Sequence, residues 1–119
     1  KKLAEAIEDP NPLWQDEEHA SKAGYGGIIA PPSLLCTVQM TGARAILETP
    51  LKRRLDGGIE LEYYRPIKPG DALSCTAKIA DLYEREARLG RMLFQITEVV
   101  YKNQKGEVVA KQRSTSISY

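Results

Sequence analysis

Between Pro32 and Leu47 the chain is apolar nearly all round, through Leu34, Leu35, Cys36, Val38, Met40, Ala43, Ile46 and Leu47. A helix of that composition has no polar face to turn to water and must be enclosed by protein. Pro32 suits its first turn, where a missing amide donor does no harm. What encloses it comes later, because after Pro50 the period changes to two. Ile59-Glu60-Leu61-Glu62-Tyr63 alternates, and Leu73, Cys75, Ala77 and Ile79 alternate with Ser74, Thr76 and Lys78. Pro66 and Pro69-Gly70-Asp71 turn the chain between these two half-buried strands. A third run spans about 91–102, a hairpin turn comes next at Asn103-Gln104-Lys105-Gly106, and a last strand covers 107–119. Strands gathered after helices argue against a parallel βαβ sheet. The expected fold class is α+β, an antiparallel sheet wrapped around the long 32–47 helix in a single domain over 1–119.

Ahead of that helix, Leu3, Ala4 and Ile7 recur at helical spacing until Pro10 and Pro12 stop the pattern. The loop from Asp9 to Gln15 is therefore stiff. Asp16-Glu17-Glu18 sets acids at the start of a short helix ending near Ala23, with Gly24 as its C-terminal cap. Gly24, Gly26 and Gly27 around Tyr25 permit close backbone approach or positive φ. The sequence opens without methionine in what reads as mid-helix, which predicts further chain upstream of Lys1.

Composition removes several functions. Lys and Arg number 17 against 16 Asp and Glu, so no broad basic surface exists for nucleic acid or anionic lipid. No apolar run reaches the ~20 residues of a membrane span, and the start is unlike a signal peptide. Cys36 and Cys75 stand alone in apolar segments without metal-binding spacing, which predicts buried free thiols in a reducing compartment, the cytoplasm by default. No metal site is expected.

Several motifs in order carry a resemblance over nearly the whole chain: Asp9-Pro10-Asn11-Pro12-Leu13, Asp16-Glu17-Glu18, Gly26-Gly27-Ile28-Ile29-Ala30-Pro31-Pro32, Tyr64-Arg65-Pro66, Pro69-Gly70-Asp71 and Gly90-Arg91-Met92-Leu93-Phe94. Together they resemble the MaoC-like hydratase/dehydratase family of the hot-dog fold, in particular its N-terminal dehydratase-type domains. The resemblance implies action on acyl thioesters of coenzyme A or acyl carrier protein, with water added or removed across the α,β bond. It also implies no cofactor, a first strand upstream of Lys1, and assembly as a homodimer or as a heterodimer with another hot-dog domain. An open sheet leaves an edge strand to be covered, which points to a dimer independently.

Catalytic members pair an Asp with a His five residues later, in a pattern D-x-N-P-x-H. Asp9, Asn11 and Pro12 match, and the histidine position is Trp14. Indole donates a hydrogen bond but accepts no proton at neutral pH. Asp9 is thus the candidate catalytic residue of an incomplete dyad, although an Asp beside two prolines is also an ordinary turn former. Trp14 fills the space of a catalytic pocket or lines an acyl tunnel. His19, the only histidine, lies five residues further on a helix and reads as an exposed residue. At the mouth of the apolar helix, Ser33, Leu34 and the backbone of Gly26 and Gly27 are candidates to hold a thioester oxygen, with plain capping as the competing role for Ser33. Asn11 and Trp14 complete the candidate substrate-binding set. Lys52-Arg53-Arg54, Lys111 and Arg113 are candidates for coenzyme A phosphates, though such runs are more often simply solvated. Tyr63, Tyr64, Tyr83 and Tyr101 read as sheet residues.

The favoured function is a hydratase/dehydratase domain or subunit that depends on a partner hot-dog domain. The alternative is a non-catalytic acyl-thioester-binding or structural subunit. A hot-dog thioesterase fits less well, because the apolar helix has no acid until Glu48.

Overall fold

The computed structural model describes residues 1–37 and 49–119. Of the apolar segment, Pro32–Thr37 forms a 3-10 turn; the rest of the expected 32–47 helix lies outside the described residues. Helix α1 (Lys2–Ala6), a 3-10 turn at Pro12–Trp14 and helix α2 (Glu17–Lys22) precede it. The carboxylate of Asp16 caps α2 by accepting the amide of His19, and Gly24 beyond its end has φ 93°, so the expected boundaries of this helix hold.

Four strands complete the chain: β1 (Arg54–Tyr63), β2 (Ser74–Ala87), β3 (Gly90–Lys102) and β4 (Val108–Ser118). They form one antiparallel sheet in the order β1-β4-β3-β2, leaving β1 and β2 at the edges. The β3–β4 hairpin closes as its sequence indicates. Asn103 Oδ1 accepts the amides of Lys105 and Glu107, and Gly106 takes φ 76°. Two features were not expected. β1 starts at Arg54, with a bulge at Asp56/Gly58 where Gly57 packs so close to Thr115 that a Cβ would sit 2.9 Å from its methyl. β2 runs on to Ala87 and turns tightly into β3, with Gly90 at φ 92°.

The core lies on one face of the sheet. Cross-strand register places Tyr63, Ala110, Tyr101 and Cys75 in one transverse row. Small Ala110 leaves room over that row for Leu35, only 1% exposed, which joins Ile67, Val99, Tyr101 and Val109 in the buried cluster.

The cysteines correct the sequence reading. Cys36 and Cys75 are free, as expected, but both are exposed. Cys75 sits on an edge strand flanked only by β3, and β2 is exposed almost throughout rather than half-buried. Cys36 comes after Leu35 in a tight turn that gives its buried position to the leucine.

The molecule leaves much apolar surface uncovered. Leu55, Ile59, Ile79 and Leu82, on the two edge strands, are all exposed.

Candidate functional site

Helix α1 ends in a Schellman arrangement. The amides of Glu8 and Asp9 return to the carbonyls of Glu5 and Ala4, at 3.2 and 2.9 Å, and Glu8 takes φ 54°. This fixes the backbone of Asp9, and Pro10 and Pro12 stiffen the loop beyond it. Asp9 Oδ1 accepts the amide of Asn11 at 3.0 Å, and Asn11 Oδ1 accepts the amide of Leu13 at 3.0 Å. These two side-chain turns start the Pro12–Trp14 turn, which swings the indole of Trp14 back toward Asp9. Trp14 Nε1 donates to Asp9 Oδ2 at 2.9 Å. The indole is 8% exposed. The two positions of the dyad pattern thus meet in space through a donor that cannot act as a base. Each carboxylate oxygen of Asp9 already accepts one hydrogen bond.

Trp14 also lines a recess of about 260 Å³. Ile29, Ala30 and Pro32 at the mouth of the apolar segment form one wall, and the stretch after β1, from Tyr63 to Ile67, forms another. Two backbone bonds lock these walls together: Ile29 donates to Leu13 at 3.1 Å, and Ala30 donates to Ile67 at 2.7 Å. The hydroxyl of Tyr63 donates to the carbonyl of Pro32. Burial first, then Cys36 and Tyr101 nearby, push that hydroxyl up to about 12.

Gly27 is buried, and a Cβ there would lie 2.5 Å from Glu17 Oε1. The other oxygen of Glu17 accepts the amide of Ile28 at 3.2 Å, so the first turn of α2 clamps the glycine loop beside the recess. Gly26, at φ 73°, lies next to Lys68. Ser33 is exposed, and the amide of Leu34 donates to Pro31 within the 3-10 turn at 2.9 Å. His19 is exposed on α2, and Lys111 places its ammonium 5.9 Å from the ring centre of Tyr64.

Sequence reasoning put Asp9, Asn11 and Trp14 in one loop, and the structure joins them through hydrogen bonds. Asp9, Asn11, Gly26, Gly27, Ser33 and Leu34 are not among the residues that line the recess; Trp14 is. Four contributors were missed, Glu17, Tyr63, Tyr64 and Arg65. Glu17 reads in the sequence as a helix-start acid only, and nothing there pairs it with the amide of Ile28, eleven residues on. Tyr63, Tyr64 and Arg65 were read as sheet residues or as part of a motif, although two prolines within reach, Pro66 and Pro69, already marked a chain leaving the sheet. Among the described residues, no cluster of three or more His, Cys, Asp or Glu is arranged to hold a metal, and no helix is long and apolar enough to cross a membrane.

Comparison with known proteins adds an independent line. A family model described as "FAS1-like, dehydratase domain region" matches residues 1–112. A UPF0336 protein of Thermobifida fusca is 37% identical over 87 residues, 69% of this chain and 57% of that protein. A probable enoyl-CoA hydratase alpha subunit of Thermomonospora curvata is 32% identical over 127 residues, 92% of this chain and 40% of the subunit. The chain therefore spans only about half the length of these relatives. Among solved structures, the ChsH1–ChsH2 complex from Mycobacterium tuberculosis superposes with a TM-score of 0.84 at 24% identity, covering 99% of this chain and 74% of that one. The MaoC-like dehydratase from Rhodospirillum rubrum gives 0.71 at 25% identity, covering 100% and 80%.

Proposed function

The chain belongs to the FAS1-like dehydratase-region family, with the hot-dog fold of MaoC-like proteins, and we propose that it is the substrate-holding half of an acyl-thioester hydratase/dehydratase completed by a partner hot-dog domain. The reaction is of the enoyl-CoA hydratase or 3-hydroxyacyl thioester dehydratase type. Water attacking Cβ must lose a proton as it does so, Cα must gain one, and the thioester oxygen must be stabilised as negative charge develops on it. The observation that carries the reading is the 2.9 Å bond from Trp14 Nε1 to Asp9 Oδ2. It keeps the spacing of an acid–base pair while replacing the base with a group that accepts no proton. The base then has to come from elsewhere.

Two further observations support a shared site. At about 260 Å³ the recess is smaller than the ~300–1,000 Å³ of sites that enclose a ligand of drug size, so it suits one wall of a larger cavity. Leu55, Ile59, Ile79 and Leu82 are exposed on the two edge strands, apolar surface that a partner domain would cover. The relatives point the same way, one described as an alpha subunit and one solved as a two-protein complex. The carrier is coenzyme A or acyl carrier protein, which present the same thioester end.

The test is crotonyl-CoA offered to the purified protein. The expected result is binding by calorimetry with no loss of the enoyl-thioester absorbance until a hot-dog partner bearing the complete Asp/His pair is added. Strong turnover by the chain alone would overturn the proposal. One observation favours a second reading, a purely supportive acyl-binding or structural subunit: both oxygens of Asp9 are already engaged, so the pair also works as a structural pin.

A further inference from the structure

Four of the chain's eight aromatic residues, Trp14, Tyr25, Tyr63 and Tyr64, line the recess. Two of these rings are tied by their polar ends to protein. The indole nitrogen is bonded to Asp9 and the Tyr63 hydroxyl to the Pro32 carbonyl, while the Lys111 ammonium lies 5.9 Å from the centre of the Tyr64 ring. Bonded in this way, they offer an occupant ring surface rather than further donors. Aromatic side chains have few rotatable bonds, so such a surface loses little entropy when a ligand orders it. Pro32 and Pro66 add two more flat apolar rings to the walls.

We infer that the recess selects an acyl group bearing a planar unsaturated ring close to its thioester, in preference to a linear aliphatic chain. This rests on the proposed acyl-thioester function and narrows it. A ring packed offset or edge-to-face against another ring gains beyond the area it buries, a gain that saturated methylenes lack. The acyl group, not the adenine of coenzyme A, is the source of the ring, because Trp14 belongs both to the recess and to the Asp9 pair. The recess therefore abuts the place where the reacting carbons would lie.

The test compares two nine-carbon enoyl thioesters, cinnamoyl-CoA and trans-2-nonenoyl-CoA, which share the reacting group and carrier and differ in the ring. Dissociation constants are measured by calorimetry on the purified protein. The expected outcome is about tenfold tighter binding of cinnamoyl-CoA, the scale of one or two aromatic contacts. In Tyr64→Leu, and separately in Tyr25→Leu, cinnamoyl-CoA should lose severalfold more affinity than nonenoyl-CoA, so that the preference shrinks, while the melting temperature stays within a few degrees. Equal affinity for the two thioesters overturns the inference, and so does a preference that survives both substitutions. Competition of 3′,5′-ADP with the cinnamoyl preference would assign the ring site to adenine and likewise overturn it. If neither thioester binds, the acyl-thioester function itself fails, a result distinct from equal binding of both.

Discussion

Trp14 has two jobs, and they separate experimentally. Its ring walls the recess, and its nitrogen satisfies one oxygen of a partly buried carboxylate. Trp14→Phe keeps most of the wall and removes the donor, so it should lower stability by about 1–3 kcal/mol, the cost of stranding a charged acceptor, as read by urea unfolding. Tyr63 gives a prediction in pH. Its hydroxyl is raised from 10 to about 12, so the fold favours the neutral form. That contribution is fully present below pH 10 and is lost as pH climbs through 12. Unfolding measured from pH 9 to 12 should show an alkaline decline that is shallower in Tyr63→Phe. Asp71 behaves oppositely: the Lys68 amide, then the Gln104 side chain, hold its carboxyl below the usual range, so its contribution is lost on the acid side.

The short elements are held by caps more than by length. Helix α1 has five residues and ends with Glu8 in the left-handed region, which costs a residue bearing a Cβ roughly 1–2 kcal/mol. Glu8→Gly should therefore raise stability by about 1 kcal/mol without disturbing Asp9, whose amide bond to Ala4 does not depend on the side chain at position 8. Gly27→Ala should do the reverse. It forces a side chain into the left-handed region and against the Glu17 carboxylate, breaking the clamp on Ile28, and a loss of about 1–2 kcal/mol is expected in thermal melts. Legibility in the sequence divides along physical lines at this level. The Asp16 cap and the Asn103–Gly106 turn use local hydrogen bonds, so local residues reveal them. β3 and β4 are flanked on both sides and read clearly. The second half of β2 is an exposed edge carrying Asp81, Glu84, Arg85 and Glu86, so no apolar alternation marked it. The exposure of Cys36 and Cys75 was hidden for the same reason, since an apolar segment does not say whether a neighbour covers it. Much of the expected central helix lies outside the described residues.

The long-range parts of the site were the least legible. The Asp9–Trp14 bond closes within one loop, but the wall from Tyr63 to Ile67 comes from a segment some fifty residues away in sequence. The family resemblance supplied the fold that brings them together. Two edge strands and the exposed Ile59, Ile79 and Leu82 upon them present apolar surface that a partner would cover. Sedimentation at micromolar concentration should find it paired, with itself or with a second hot-dog domain, and a well-behaved monomer would count against a shared site. The central claim is that Asp9 and Trp14 occupy the places of an acid–base pair from which the base has been lost. The rate of crotonyl-CoA hydration by Trp14→His, set beside that of the native chain, addresses it most directly. The account predicts a silent native chain and measurable turnover in the histidine variant. A native chain that hydrates the thioester as fast as the variant, or a folded variant that binds the thioester yet stays silent, would contradict it.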